Sequence, residues 1–185
     1  MNKKLLLMTL ILISLMLAAQ TSVAFSFSKG KKGSGDMETR ELNLDEFKAF
    51  EVGGAFDIEV SFGRTQKVEV TIDDNLWDIF EAEVKGEWLN LDWDGNCRPS
   101  DECRIAIVVP LLEEVNIHGA CDLNISGFKG SEFTYKLSGA GDLVMDGEVD
   151  KVDIKISGAG DADTTDLKAK HVKVSISGAG HAEVY

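Results

Sequence analysis

The sequence predicts an all-β solenoid, and three observations predict it. Four short blocks look alike: His118-Gly119-Ala120-Cys121-Asp122, Ser138-Gly139-Ala140-Gly141-Asp142, Ser157-Gly158-Ala159-Gly160-Asp161 and Ser177-Gly178-Ala179-Gly180-His181. They start twenty, nineteen and twenty residues apart, and a fixed period of that size is a repeat signature. An alternating run stands before each later block: Phe133, Tyr135 and Leu137; Val152, Ile154 and Ile156; Val172, Val174 and Ile176, with Val115 and Ile117 in the same register earlier. Alternation with a period of two places one face in a core and one in water. Finally, the segments lack a 3.6-residue period, and glycine at each boundary argues against helical repeats.

Met1 to Ala24 reads as a secretory signal peptide. Lys3 and Lys4 open it, Leu5 to Ala19 is apolar, and Ser22-Val23-Ala24 offers a cleavage site before Phe25. The apolar run falls short of the roughly 20 residues that span a bilayer, and no other stretch could cross a membrane. Residues 25–38 form the expected flexible linker, rich in Gly, Ser and Lys around Lys29 to Gly35. A single β domain is expected over residues 39–185, irregular over 39–110 and regular over 111–185.

Within the irregular part, Gly54-Ala55-Phe56-Asp57-Ile58 matches Gly119-Ala120-Cys121-Asp122-Leu123 and reads as a divergent early copy. Lys67 to Ile72 is a plain strand. Asp73 to Phe80 reads as a helical turn or irregular corner. Glu81 to Lys85 and Trp88 to Trp93 make a hairpin across Gly86-Glu87, and Cys103 to Val109 is a strand stopped by Pro110. In the regular part each block is expected to be a corner, with glycine supplying positive φ and Asp capping backbone N–H groups. The expected structural ladder is Gly119, Asp122, Gly139, Gly141, Asp142, Gly158, Gly160, Asp161, Gly178 and Gly180. A second corner is expected near Ser126-Gly127, Asp146-Gly147 and Thr165-Asp166.

Cys97 and Cys103 flank a five-residue turn. An exported chain meets an oxidising compartment, so a local disulfide is expected between them. Cys121 stands where the other copies have glycine and reads as a small corner residue. Trp77, Trp88 and Trp93 read as core packing.

The corners Ser138 to Asp142, Ser157 to Asp161 and Ser177 to His181, with Gly54 to Ile58 upstream, resemble the putative auto-transporter adhesin, head GIN domain family. The resemblance runs from about Phe47 to Tyr185. It implies a right-handed parallel β-helix with coils of about 20 residues and an irregular N-terminal β part. It carries over no catalytic residue. His118 for Ser, Cys121 for Gly and His181 for Asp depart from the pattern.

The formal net charge of −13 argues against nucleic acid, which needs a basic footprint. Ser, His and Asp form no readable triad, so no catalytic residue, cofactor or metal site is expected. The expectation is a non-enzymatic exported protein of the periplasm, cell surface or exterior, adhesin-like, with an envelope protein or a glycan as partner. A polysaccharide-active enzyme rests on fold analogy alone. Calcium on the column Asp122, Asp142 and Asp161 is the third reading, although the period differs from nine-residue calcium repeats. The chain stops four residues after its last corner. Either capping coils are missing, which is the favoured reading, or the open last coil pairs with another chain as a homo-oligomer.

Overall fold

The structure, a computed structural model, describes residues 30–184. The expected signal peptide, the start of the expected linker and Tyr185 lie outside the described residues. The chain lays down β1 (Lys31–Lys32), β2 (Met37–Leu42), β3 (Ala49–Val52), β4 (Ala55–Phe62), β5 (Lys67–Asp73), a 3-10 turn (Asp74–Leu76), β6 (Phe80–Lys85), β7 (Trp88–Trp93) and β8 (Cys97–Arg98). It continues with β9 (Arg104–Val109), β10 (Glu114–Ile117), β11 (Ala120–Leu137), β12 (Leu143–Ile156), β13 (Ala159–Thr164), β14 (Leu167–Ile176) and β15 (Ala179–Val184).

The all-β expectation holds, but the parallel β-helix solenoid is corrected. Apart from the small β1–β8 pair, the strands form one curled, mixed sheet of 13 strands. Its first half is antiparallel where β2 meets β5, β5 meets β9, and β6 meets β7. Parallel pairing joins β7 to β3, β3 to β10, β10 to β11, β11 to β12 and β12 to β14. The sequence period survives as the parallel register, in which Ile117, Leu137, Ile156 and Ile176 are successive partners.

The second expected corner explains much of the difference. β11 runs unbroken through Ser126-Gly127, where the register slips between Ile125 and Phe128. Gly127 has φ 73° and Gly147, inside β12, has φ 127°. An irregularity of this kind bends a strand and increases its twist instead of ending it. Hydrogen bonding therefore passes around the bend, and the sheet curls as one piece. Only Thr165-Asp166 breaks the chain into separate strands, between β13 and β14.

The inward positions of the alternation build the core. Phe50, Val52, Val115, Ile117, Tyr135, Leu137, Ile154 and Ile156 are buried in successive layers. At roughly 1.5–3 kcal/mol for each fully buried side chain of this size, these layers hold the sheet curled. Trp77 and Trp93 pack against this core. Trp93 stacks on Phe56 with centroids 5.4 Å apart, Phe80 meets both edge-on, and Arg40 lies 4.5 Å over Trp77.

Residues 30–38, expected to belong to a flexible linker, are held against the domain. β1 pairs with β8, Gly33 N–H donates to Arg98 C=O at 2.9 Å, and Asn75 Nδ2 donates to Lys32 C=O at 2.9 Å. Gly35 N–H donates to the Asp73 carboxylate at 2.9 Å. Composition alone hides this, because the partners lie some forty to sixty-five residues downstream.

Candidate binding face

Each corner closes on the one before it through backbone. Ala120, Ala140, Ala159 and Ala179 donate N–H to the carbonyls of Gly54, Gly119, Gly139 and Gly158 at 2.9–3.0 Å. The ladder glycines are required by this approach. A Cβ on Gly119, Gly139, Gly158 or Gly178 would stand 1.8 Å from the carbonyl oxygen of the preceding glycine in the column. A second column behaves alike: a Cβ on Gly141, Gly160 or Gly180 would meet the carbonyl of Cys121, Gly141 or Gly160 at 1.9–2.2 Å. Positive φ, the expected reason, holds at Gly141 alone among these corner glycines. Close backbone approach explains the others.

The aspartates complete the ladder. Asp122 Oδ1 accepts the N–H of Asp142 at 3.0 Å, Asp142 Oδ1 that of Asp161 at 2.8 Å, and Asp161 Oδ1 that of His181 at 2.8 Å. Each carboxylate thus satisfies a donor one layer on, which offsets the repulsion of stacked like charges. Among the described residues no group of three or more His, Cys, Asp or Glu side chains is placed to hold a metal ion.

Beside this ladder β6, β7, β3, β10, β11, β12 and β14 carry two shallow grooves. The first, about 580 Å³, is lined by Glu51, Glu81, Glu83, Asn90, Asp92 and His118 among others. The second, about 520 Å³, includes Asn116, His118, Lys136, Ser138, Lys155 and Ser157, and it extends to Ser175 and Ser177. His118 belongs to both, so the grooves meet there. One end is acidic and the other carries lysines, each held by a neighbouring carboxylate: Lys136 by Glu114 and Lys155 by Asp153 at 3.1 Å.

His118 and Ser138 come together, with Nδ1 2.9 Å from Oγ. Ser138 Oγ also donates to the Ile117 carbonyl at 3.3 Å, so it accepts from the ring. A serine nucleophile needs the reverse polarity and a third group to orient the base. Among the described residues no carboxylate bonds His118. Sequence reading missed this face because its columns join β7 and β3 to strands far along the chain. The polar positions of the alternation, Lys136 and Lys155, were the available signal.

The expected Cys97–Cys103 bridge is not formed in the structure, where all three cysteines are free. The turn it would pin is held instead by Asp73, which accepts the N–H and hydroxyl of Ser100. Burial, then the charges of Cys97 and Asp73, push the Cys103 thiol up to about 12. Burial also lifts Cys121 to about 11 and raises the half-buried Cys97. Alkylation of the reduced native protein at pH 8 should therefore label Cys97 first. Cys103 and Cys121 should react only on unfolding, which peptide mass mapping reads directly. Equal labelling of all three would contradict this burial.

The family whose description reads putative auto-transporter adhesin, head GIN domain, matches residues 46–185. The chain belongs to that family. No curated protein matches it. Among solved structures, a putative lipid binding protein from Parabacteroides distasonis is 24% identical with a TM-score of 0.72, over 80% of this chain and 65% of that one. The chain thus spans just under two thirds of that relative's length. A putative adhesin from Parabacteroides merdae is 18% identical with a TM-score of 0.62, covering 85% of this chain and 84% of its own. Another from Bacteroides fragilis is 17% identical with a TM-score of 0.60, covering 84% and 100%. At these identities the likeness shows the fold alone. No helix among the described residues is long and apolar enough to cross a membrane.

Proposed function

We propose that this head GIN domain chain is a non-enzymatic, exported protein of the cell envelope or surface that binds an extended glycan along its outer face. The observation that carries the reading is the joined groove. It crosses seven strands, roughly 29 Å at normal strand spacing, and His118 links its two halves. Hydroxyl, amide and imidazole groups line it, which suits a polymer of hydroxyl groups more than a compact apolar ligand. The adhesin description of the family and the expected leader support an exterior location. A second reading, a lipid, is favoured by the exposed Ile176 at the far end of the second groove. It agrees with the description of the P. distasonis relative.

A glycan array, with lipid vesicles in parallel, tests the reading. His118→Ala combined with Ser138→Ala and Lys136→Ala should weaken glycan binding at least about tenfold, or 1.4 kcal/mol. The far-UV spectrum should stay unchanged. Binding that survives the triple variant would reject this face. Binding to vesicles alone would favour the lipid, and release of products from a polysaccharide panel would show an enzyme instead.

A further inference from the structure

Two continuous polar tracks run along the joined groove. Glu83, Asn90 and Glu51 are successive register partners on β6, β7 and β3. Asn116, Lys136, Lys155 and Ser175 carry the same line on through β10, β11, β12 and β14. Each of these side chains lines one groove or the other, and none is buried. A second track lies two residues further along the strands, where Asp92, His118, Ser138, Ser157 and Ser177 line the same grooves. Side chains two residues apart share a face. The tracks therefore run side by side, roughly 6.6 Å apart, and each advances one strand at a time, about 4.8 Å.

Charge along the tracks suits a neutral ligand. A polyanion would meet Glu83, Glu51 and Asp92 in one half, and a polycation would meet Lys136 and Lys155 in the other, with like charges opposed in either case. The spacing then selects among neutral glycans. Sugars joined by equatorial β-1,4 linkages form a flat, extended ribbon with hydroxyl groups on both edges of every sugar. Its rise per sugar is close to the strand spacing of about 4.8 Å. Such a ribbon keeps one sugar over each strand and lays its edges on the two tracks. An α-1,4 chain curls into a helix, and an α-1,6 chain has no fixed repeat, so neither stays in register with the strands.

We infer that this face takes a neutral β-1,4-linked hexopyranose chain laid across the strands, one sugar to a strand, with its two edges hydrogen-bonded by the two tracks. The inference rests on the glycan reading above and names the class of polymer.

Calorimetric titration of the protein with cello- and chito-oligosaccharides of two, four and six sugars, against maltohexaose and isomaltohexaose, tests this. Affinity for at least one β-1,4 series should rise at each step in length. Its hexamer should bind at least about tenfold tighter than either α-linked hexamer. Any six consecutive strands of the seven include both β7 and β12. Asn90→Ala on β7 and Ser157→Ala at the end of β12 should therefore each weaken the hexamer about three- to tenfold, the loss that one hydrogen bond implies. Tm should stay unchanged in both, since the Leu137 carbonyl, which accepts the Ser157 hydroxyl, also accepts the Ser157 N–H at 2.8 Å. Equal binding of maltohexaose, no gain beyond the dimer, or a hexamer sensitive to only one of the two substitutions would overturn the inference and leave the glycan reading standing. No binding of any sugar in the array or the titrations would overturn both.

Discussion

Gly139→Ala should destabilise the domain by about 3 kcal/mol, a fall in Tm of roughly 6–12 °C for a chain of this size. The new methyl would stand 1.8 Å from the Gly119 carbonyl oxygen and 2.8 Å from that of His118. Both are backbone atoms held by layer-to-layer bonds, so no side chain can swing away. Overpacking of a tight site costs about 1–3 kcal/mol. Separating the corners would also weaken the Ala140 N–H bond to Gly119 at 2.9 Å, worth about 1 kcal/mol. Gly127→Ala is the matched control. Its Cβ would meet nothing within 4 Å, and only its φ of 73° opposes the change, at about 1 kcal/mol. Thermal melts of the two variants separate close approach from backbone handedness. Equal shifts would refute the close-approach account of the ladder.

Asp73→Ala should cost roughly 2–4 kcal/mol and loosen two segments at once. Asp73 is fully buried at the end of β5, and its carboxylate accepts Gly35 N–H, Ser100 N–H and the Ser100 hydroxyl. Removing it leaves backbone donors of both the 30–36 strap and the 98–101 turn without a partner. Burial by itself would raise its pKa, but the Ser100 hydroxyl and the two N–H groups more than offset that and hold it below the ordinary value. The folded state therefore binds this proton more weakly than the unfolded chain. The stabilisation is complete above the unfolded pKa of about 4 and is lost as pH falls through the lower native value. Urea melts at pH 7 and pH 3 should show a large loss in the wild type and a smaller one in Asp73→Ala. Hydrogen exchange should rise at Gly35 and Ser100 together. An identical acid loss in both proteins would place the acid sensitivity elsewhere.

The hairpin across Gly86-Glu87, the turn after Asp73 and the strand stopped at Pro110 were all legible, because each depends on local chemistry. Gly86 has φ 66°, which the short connection demands, and Pro110 lacks a ladder N–H. The strap at residues 30–36 was not legible. Its glycines and lysines read as solvated chain, yet its partners Asp73, Asn75 and Arg98 lie far downstream. The Asp73 hub was invisible for the same reason, since nothing local marks a carboxylate that will be buried among distant donors. The candidate face shows both sides. Lys136 and Lys155 read correctly as outward residues, while their union with Glu51, Asn90 and Asp92 needed the pairing of β7, β3 and β10.

The sequence by itself determined the strand content, the nineteen- or twenty-residue parallel register and the buried column from Tyr135 to Ile156. Those follow from side-chain alternation and from glycines at fixed spacing, which are local and periodic. Tertiary structure alone decided that the strands join one curled, mixed sheet instead of a uniform parallel coil. Whether a glycine such as Gly127 ends a strand or bends it depends on the neighbouring strand that keeps hydrogen-bonding across it. Whether a residue such as Val172 is covered depends likewise on the layer beyond it.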